Sequence, residues 1–302
     1  MIHRSSPARP AWLKVRLRTG PGFRQMRSMV AELRLNTVCT EARCPNIYEC
    51  WNAGTATFMI LGETCTRRCG FCNVHSGRPQ PGVDPLEPQH VAEAVARLRL
   101  RHTVLTSVDR DDLDDGGARH FREVVLALRG RVPDCAVEVL TPDFKHKRGA
   151  LETVLEARPD VFAHNVETVP RLYRAARPGS RYRTSLELLS AAARRRDEDG
   201  ATSRVKSSLM LGLGERDDEV LQAMRDLRAA GVDVVTLGQY LQPTKQHLPV
   251  DRFVSPETFD SFAESGRALG FLHVESGPLV RSSYHAERHD GVSLPRPLPR
   301  PE

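Results

Sequence analysis

Short apolar runs alternate with amphipathic stretches along most of this sequence. The run Thr57-Phe58-Met59-Ile60-Leu61 has the length of a buried strand, and residues 87–100 place Val91, Ala94, Val95 and Leu98 on one helical face. The same order then recurs along the chain. We expect six βα repeats and a closing strand, with strands at 57–61, 102–106, 136–140, 161–163, 205–211, 232–237 and 271–274, and helices at 87–100, 118–128, 150–157, 186–196, 217–230 and 256–269.

Such repeats predict an α/β fold with a parallel sheet and outer helices. The pattern fits both an open doubly wound sheet and a (β/α) barrel, and either fold places its site at the carboxyl ends of the strands. The exit of the second strand is acidic, which indicates a divalent-cation site or a solvated loop. His164, at a later strand end, is more typical of a locally satisfied side chain. The acidic residues are Asp109, Asp111, Asp112, Asp114 and Asp115.

Composition narrows the class of protein. Of the 302 residues, 40% are hydrophobic and 27% charged, which suits a globular chain with a sizeable core. No apolar run approaches the roughly 18 residues of a membrane span. The seven cysteines are an odd number, and six form two groups of three, which favours metal binding over disulfides. We therefore expect a reducing, cytoplasmic location without membrane contact, and a core position for Cys135.

The positive charge is concentrated at the N-terminus. The net charge is +6, and seven Lys or Arg residues but no acidic residue precede Glu32. Residues 12–17 alternate apolar and basic positions, which predicts an extended arm, and we expect this segment to meet an acidic partner. Residues 1–10 and the Pro-rich stretch 295–301 are predicted to be disordered.

Cys65, Cys69 and Cys72 form a C-x3-C-x2-C triad directly after the first predicted strand. Thiols at such spacing rarely meet disulfide geometry and usually hold a metal. A structural zinc site completed by His75 is one interpretation. An iron–sulfur cluster with only three local cysteines is the other, and it would leave one iron open for catalysis.

This spacing, with Phe71 before the last cysteine, resembles the motif of the radical S-adenosylmethionine (SAM) superfamily. The resemblance implies a 4Fe–4S cluster whose open iron binds SAM and whose electron cleaves SAM to a 5′-deoxyadenosyl radical. A second triad, Cys39, Cys44 and Cys50, has the spacing C-x4-C-x5-C. Together with the first triad it closely resembles the lipoyl synthase family, in which this triad binds an auxiliary 4Fe–4S cluster.

The segment Gly277 to Ala286 also resembles that family. It contains Arg281-Ser282-Ser283-Tyr284, and the resemblance implies that Ser283 is the fourth ligand of the auxiliary cluster. Ser208 and Glu275 depart from the family pattern. The resemblance further implies that SAM is contacted by Phe71, Thr106, Ser107, Asp109, Asn165, Glu167, Met210, Gly212 and Gln239, while Cys65, Cys69, Cys72 and Ser283 are the catalytic positions.

The family resemblance implies an incomplete, six-stranded (β/α) barrel with three segments. These are residues 1–53 with the basic arm and auxiliary triad, residues 54–275 with the barrel, and residues 276–302 with the serine segment and tail. The implied reaction inserts two sulfur atoms into an octanoyl chain on a lysine of a lipoyl carrier domain. Such carriers are acyltransferase subunits of dehydrogenase complexes and the glycine cleavage H-protein.

Other partners implied by the resemblance are an electron donor such as flavodoxin or ferredoxin and an iron–sulfur carrier that repairs the cluster. A radical SAM methylthiotransferase acting on RNA is the alternative enzyme. It would use the basic arm on phosphates but needs a nucleic-acid-binding domain, for which the sequence after residue 286 leaves no room, so we expect no nucleic-acid partner. An electron carrier or a zinc-binding interaction module would not need so long a βα scaffold.

Overall fold

The computed structural model describes residues 6–14, 19–53 and 55–289. Ten strands and ten α-helices lie in these ranges, together with 3-10 turns at Ala11–Leu13, Phe144–His146, Pro170–Leu172 and Ala286–Arg288. The strands are β1 (Asn36–Thr37), β2 (Thr57–Ile60), β3 (Thr64–Cys65), β4 (His75–Ser76), β5 (His102–Ser107), β6 (Ala136–Leu140), β7 (Val161–Ala163), β8 (Arg204–Leu211), β9 (Val234–Gln239) and β10 (His273–Gly277). The helices are α1 (Pro21–Glu32), α2 (Val38–Glu41), α3 (Ile47–Asn52), α4 (Glu87–Leu98), α5 (Ala118–Arg131), α6 (Ala150–Leu155), α7 (Tyr173–Ala176), α8 (Tyr182–Glu198), α9 (Asp217–Ala229) and α10 (Pro256–Ala268).

Eight strands form one sheet in the order β1-β2-β5-β6-β7-β8-β9-β10. The pairs from β2 to β10 are all parallel, whereas β1 pairs antiparallel with β2. The parallel strands follow chain order without the reversal that defines a doubly wound sheet. The predicted βα repeats and parallel sheet are confirmed, and the doubly wound alternative is wrong.

Burial explains why these elements form. All residues of β2 and β9 are buried, as expected for strands covered on both faces of a parallel sheet. The predicted apolar face of α4 is buried through Val91, Ala94 and Val95. At the start of α10, Ser255 accepts a hydrogen bond from Thr258 N and Pro256 occupies the first turn. Cys135 is buried in the core, as predicted.

The N-terminal segment shares its core with the sheet. Phe23, Met26 and Trp51 belong to the same buried cluster as Phe58 of β2. Strand β10 extends to Gly277 and therefore crosses the predicted boundary at residue 275. The division into three segments remains a prediction, and these contacts join the outer two segments closely to the middle one.

Several N-terminal predictions differ from the structure. Ala11–Leu13 is a 3-10 turn with Leu13 buried, rather than part of an extended arm, because Leu13 and Trp12 have apolar partners; the Trp12 ring lies 6.5 Å from that of Phe253. Ser6, predicted to be disordered, donates a hydrogen bond to Gln242 and accepts one from Val250 N. Residues 1–5, 15–18 and the Pro-rich stretch 295–301 lie outside the described residues.

Within the described ranges, none of the helices has the length and apolar content that a membrane crossing requires.

Candidate active site: two cysteine triads at one end of the sheet

The first triad lies in a loop that the rest of the chain holds in place. Cys65 ends β3, and Cys69 and Cys72 follow in the loop. Gly70 N donates to Ala176 O at 2.8 Å, Leu248 N donates to Gly70 O at 2.9 Å, and His247 Nε2 lies 2.9 Å from Cys72 O. A Cβ on Gly70 would lie 2.8 Å from Ala175 O, so only glycine fits this close approach.

Burial and nearby backbone groups determine the protonation of the three thiols in this loop. Cys65 Sγ accepts hydrogen bonds from Arg67 N and Asp109 N at 3.4 and 3.3 Å. Burial raises the pKa of Cys65 to about 11 and that of Cys69 to about 12, and it also raises the pKa of Cys72. The free thiols are therefore protonated at neutral pH, and a bound metal must displace their protons. Three such thiols in one loop suit an iron–sulfur cluster with one open iron.

Arg67 is the centre of a buried charge network beneath the loop. Its guanidinium lies 2.8 Å from Asp111 and 2.6 Å from Asp143, and Nε lies 3.3 Å from Asp109. Lys145 also pairs with Asp111 at 2.5 Å. Cations of the protein therefore neutralise Asp109 and Asp111, so this part of the acidic stretch is not an open cation site, whereas Asp112 and Asp114 are exposed as in a solvated loop.

Two further acidic residues of this stretch, Asp112 and Asp115, also pair with arginines. Arg110 pairs with Asp112 at 2.8 Å, and Arg119 pairs with Asp115 at 3.0 Å. The order of the residues along the sequence cannot show these pairings, since both partners are polar and flexible until the fold brings them together.

Polar residues predicted to bind SAM follow β5 and β7. Thr106 and Ser107 end β5; Thr106 Oγ1 donates to Leu140 O at 3.2 Å, whereas Ser107 Oγ is buried and has no hydrogen-bond partner among the described residues. Asn165 Oδ1 is likewise buried without a partner in those ranges. Buried polar atoms normally have a partner, so these two atoms suit a polar ligand held beside the first triad.

Asn165, Glu167 and Arg177 form a group of polar contacts close to the first triad. Asn165 Nδ2 donates to Glu167 Oε1 at 3.1 Å, and Arg177 donates to Asn165 O at 2.7 Å. Burial raises the pKa of Glu167, and the positive charge of Arg177 opposes that rise. The charges of both Arg177 and Glu167 act on the Cys69 thiol, which places this network next to the loop.

The neighbouring His164 has an ordinary structural role. Its ring nitrogens lie 2.8 Å from Thr141 O and 2.9 Å from Ser185 Oγ. Burial lowers its pKa to about 4, so the ring is neutral at physiological pH. The expectation that His164 is satisfied locally is confirmed.

Three residues that are predicted to contact SAM, Met210, Gly212 and Gln239, lie at or just after the ends of β8 and β9. Met210 N donates to Glu167 O at 2.8 Å. Gly212 has a φ of +102°, and a Cβ there would lie 2.2 Å from Gln239 Nε2, so the backbone conformation and the packing both require glycine. The Gln239 amide is occupied by Tyr240 O, Arg252 O and Val254 N. Phe71 is half-buried in the loop, and its contact with SAM remains a prediction.

The second triad lines a separate cavity. Cys39 lies on α2, Cys50 lies on α3, and Cys44 lies between these helices. The C-terminal segment contributes Arg281, Ser283 and Tyr284 to the same cavity. The structure therefore brings the second triad together with the predicted Ser283, although more than 200 residues separate them along the chain.

Thr57, the first residue of β2, connects the two sides of this cavity. Its Oγ1 donates to Ser283 Oγ at 2.9 Å, and it also hydrogen-bonds Cys39. Asn46 donates to Leu279 O at 2.7 Å and Tyr284 OH lies 3.1 Å from Glu49, so the C-terminal segment is fixed at three points. Thr57 was not predicted as a site residue, because in the sequence it is only a hydroxyl-bearing residue at the start of an apolar run.

Burial and one nearby arginine have opposite effects on the charge of the second triad. Burial raises the pKa of Cys39 to about 11, and it also raises the pKa values of Cys44 and Cys50. Arg281 is half-buried near Cys44 and donates a hydrogen bond to the carbonyl of Val280 at 2.7 Å. Three thiols, one hydroxyl and one nearby cation are a set of groups that suits an iron–sulfur cluster carrying negative charge.

Comparisons with known proteins agree with this chemistry. The sequence matches the radical SAM superfamily over residues 59–242 and the N-terminal domain of lipoyl synthase over residues 3–44. Lipoyl synthases of Rubrobacter xylanophilus and Thermus thermophilus are each 56% identical, over 94% and 93% of this chain and 87% and 86% of theirs.

Solved structures resemble the fold at low sequence identity. SuiB of Streptococcus suis bound to the precursor peptide SuiA has a TM-score of 0.56 at 11% identity, over 84% of this chain and 52% of that one. Coproporphyrinogen III oxidase (HemN) from Escherichia coli, a radical SAM enzyme, has a TM-score of 0.52 at 11% identity, over 78% and 58%. These two likenesses show the α/β fold.

The parallel α/β sheet and the three-cysteine loop after β2 define a radical SAM enzyme, and the match over more than half of the chain agrees. Sequence identity then narrows the class. This chain belongs to the lipoyl synthase family of that superfamily, as its two cysteine triads predict.

Proposed function

We propose that this enzyme inserts sulfur at the sixth and eighth carbons of an octanoyl chain attached to a carrier lysine, which produces the lipoyl group. Family membership supports this reaction. The observation that carries the proposal is the cavity shared by Cys39, Cys44, Cys50 and Ser283, which is distinct from the loop of the first triad. A radical enzyme that only cleaved SAM would need one cysteine triad.

In this proposal Cys65, Cys69 and Cys72 would hold a 4Fe–4S cluster with one open iron. Ser107 Oγ and Asn165 Oδ1, which have no partner among the described residues, would hold the polar groups of SAM together with Asp109 and Glu167. Gly212 would lie beside the nucleoside, and its missing Cβ lets Gln239 pack against it. The remaining proposed contacts are Phe71, Thr106, Met210 and Gln239.

Cys39, Cys44, Cys50 and Ser283 would hold the second 4Fe–4S cluster. When bound, the first cluster supplies the electron that cleaves SAM, and the second supplies the sulfur atoms. The chain itself orients these groups. Thr57 holds the Ser283 hydroxyl, Arg281 balances negative charge near Cys44, and the Arg67 network keeps the first loop rigid. An oxygen ligand binds iron–sulfur clusters less commonly than a thiolate does, which favours release of the second cluster.

The first six parallel strands, from β2 to β9 in the sheet order, would form an incomplete six-stranded barrel that β10 and the C-terminal segment partly close. Hydrogen bonds from Asn46 and Thr57 to that segment support this arrangement, because they join the N-terminal edge of the sheet to the chain after β10. The proposed segments remain residues 1–53, 54–275 and 276–302. Closure would exclude water from the radical reaction.

The proposed partners are octanoylated carrier domains, such as acyltransferase subunits of dehydrogenase complexes and the glycine cleavage H-protein. A flavodoxin or ferredoxin would supply electrons, and an iron–sulfur carrier would restore the second cluster. The protein would act in the cytoplasm. The seven cations before Glu32 would meet an acidic face of the carrier and speed encounter.

An anaerobic assay tests the proposal. The cluster-loaded enzyme is incubated with SAM, a reductant and an octanoyl-lysine peptide, and the products are analysed by mass spectrometry. We expect 5′-deoxyadenosine together with a peptide that has gained two sulfur atoms. Unmodified peptide, combined with methylthio transfer to RNA, would favour the methylthiotransferase alternative instead.

A further inference from the structure

Three side chains that can bind a metal meet at β10, and none of them is a residue of the two cysteine triads. His273, Glu275 and His289 each offer one ligand atom, and these atoms all lie within 4.8 Å of one another. His273 and Glu275 are two residues apart on β10 and therefore project from the same face of the strand. His289 follows the 3-10 turn Ala286–Arg288, and its ring centroid lies 4.6 Å from that of His273.

His289 is the unusual member of this group. Its side chain is only 2% exposed, yet neither ring nitrogen has a hydrogen-bond partner within residues 6–14, 19–53 and 55–289. A buried polar group without a partner is destabilising, so both nitrogens call for a ligand or a bound solvent molecule. The two side chains grouped with His289 are His273 and Glu275, and each of them could bind the same ion.

The residues around the trio form a supporting set of contacts. Nδ1 of His285 lies 3.2 Å from Glu275 Oε1, and His273 Nε2 lies 3.2 Å from Glu275 Oε2. Ligating carboxylates are commonly oriented by such outer contacts. Both carboxylate oxygens of Glu138 bind the ammonium group of the nearby Lys206 at 2.8 Å, which offsets part of its positive charge. The carboxylate of Glu275, which contacts both His273 and His285, supplies the negative charge of the trio.

We propose that His273, Glu275 and His289 form a zinc site that fastens the C-terminal segment to β10. Two imidazoles and one carboxylate are a ligand set that zinc accepts, with bond lengths of about 2.0–2.2 Å. Zinc binding would require the three ligand atoms, which lie within 4.8 Å of one another, to approach one ion to that distance. Calcium and magnesium prefer all-oxygen sites, so the two histidines select a transition metal.

The position of this site gives it a structural purpose. His289 lies six residues after Ser283, and His285 lies between them. A metal that joins His289 to two residues of β10 closes a loop around Ser283 and Tyr284. Zinc would thereby limit the motion of the segment that lines the second-triad cavity, without contacting any of the six clustered cysteines.

Zinc content and X-ray absorption test the site. The chain is first loaded anaerobically with iron and sulfide so that the cysteines are occupied, then incubated with zinc and freed of excess metal. We expect about one zinc per chain, with a coordination shell of nitrogen and oxygen near 2.0–2.1 Å. A sulfur shell near 2.3 Å would place zinc on cysteines and overturn the proposal.

Substitutions locate the metal. Glu275→Gln and His289→Gln should each reduce bound zinc to near zero, whereas His90→Gln, a matched histidine change on α4, should leave it unchanged. Zinc should also slow hydrogen exchange of residues 281–288 in the unaltered chain, a measurement that needs no variant to fold. Absence of zinc from the loaded chain, or full zinc in His289→Gln, would contradict the proposal while leaving the sulfur-insertion assay unaffected.

Discussion

The first cysteine triad is braced by charges and backbone contacts, whereas the second lines a cavity built from both ends of the chain. Beneath the first triad, Arg67 pairs with Asp109, Asp111 and Asp143, all within 3.3 Å. At the second, Arg281 donates a hydrogen bond to a backbone carbonyl, and Thr57, Tyr284 and the Asn46 amide supply further polar contacts. The first site is thus held by a network, and the second by a few separable contacts.

This difference matches the two roles proposed. A cluster that must survive each turnover needs a rigid loop, which the Arg67 network and the close packing at Gly70 provide. A cluster that gives up its sulfur must come apart, and a hydroxyl ligand on a segment that Thr57 holds by one hydrogen bond makes this easier. The contacts around each triad therefore suit the role that we propose for its cluster.

Loss of one cysteine from each triad should separate the roles most strongly. Cys69→Ala should abolish formation of 5′-deoxyadenosine, because the open-iron cluster loses a ligand. Cys44→Ala should still form 5′-deoxyadenosine but no lipoyl product. Both compounds are quantified by liquid chromatography with mass spectrometry. Equal loss of SAM cleavage in the two variants, with the other cluster intact in each, would refute the division of labour.

Changes at Ser283 should affect only the second site. Ser283→Ala should retain SAM cleavage and block or sharply slow sulfur insertion. Ser283→Cys should assemble the cluster but resist its dismantling, since thiolate is the usual ligand. Ser282→Ala is the matched control and should behave like the unaltered enzyme. Normal product formation by Ser283→Ala would remove the hydroxyl from the ligand set.

Arg67 and Arg281 should respond differently to the same substitution. Arg67→Met leaves Asp109 and Asp143 without their cation and Asp111 with Lys145 alone, which should destabilise the fold by about 3–5 kcal/mol. Arg281→Met should lower the thermal midpoint less but reduce the iron bound at the second triad. Differential scanning calorimetry and iron analysis of both variants test this contrast. An equal loss of stability would mean that the two arginines have the same structural role.

Thr57→Val should have the smallest effect of this series. The change removes the hydroxyl that bonds Ser283 and Cys39 while keeping the shape of the side chain, so sulfur insertion should slow by roughly fivefold, the equivalent of about 1 kcal/mol. Thr103→Val is a good control, since its buried hydroxyl has no partner in the described part of the chain. If both valine variants slow equally, the Thr57 hydrogen bonds are unimportant for sulfur insertion.

Local patterns were sufficient to predict the repeating elements of the fold. The apolar run of β2, the amphipathic face of α4 and the Ser255 cap of α10 each depend on neighbouring residues, and the structure confirms all three. Helix α3, which carries Cys50, was missed because its six residues are too few to show a helical period. The start of α1 at Pro21 is also hard to predict, because Gly20 and Gly22 flank it and glycine is a poor helix former.

The parts of the site that the sequence did not reveal depend on contacts between distant segments. Thr57 and Ser283 are 226 residues apart, and Arg67 and Asp143 are 76 apart. Ser283 was recognisable from the motif around it, but nothing in the local sequence distinguishes Thr57, Arg67 or Asp143 from other hydroxyl-bearing and charged residues. The cysteines were recognisable because their spacing is itself the signal, whereas the groups that orient them become apparent only after folding.

The fate of the two clusters during one turnover tests the central claim most directly. The enzyme is loaded with isotope-enriched iron, and Mössbauer spectra are recorded before and after a single turnover, with Cys69→Ala and Cys44→Ala supplying reference spectra for each cluster. We predict that the second-triad cluster disappears in proportion to the lipoyl product, while the first-triad cluster remains. Product formation with the second cluster intact, or loss of both clusters together, would contradict the account.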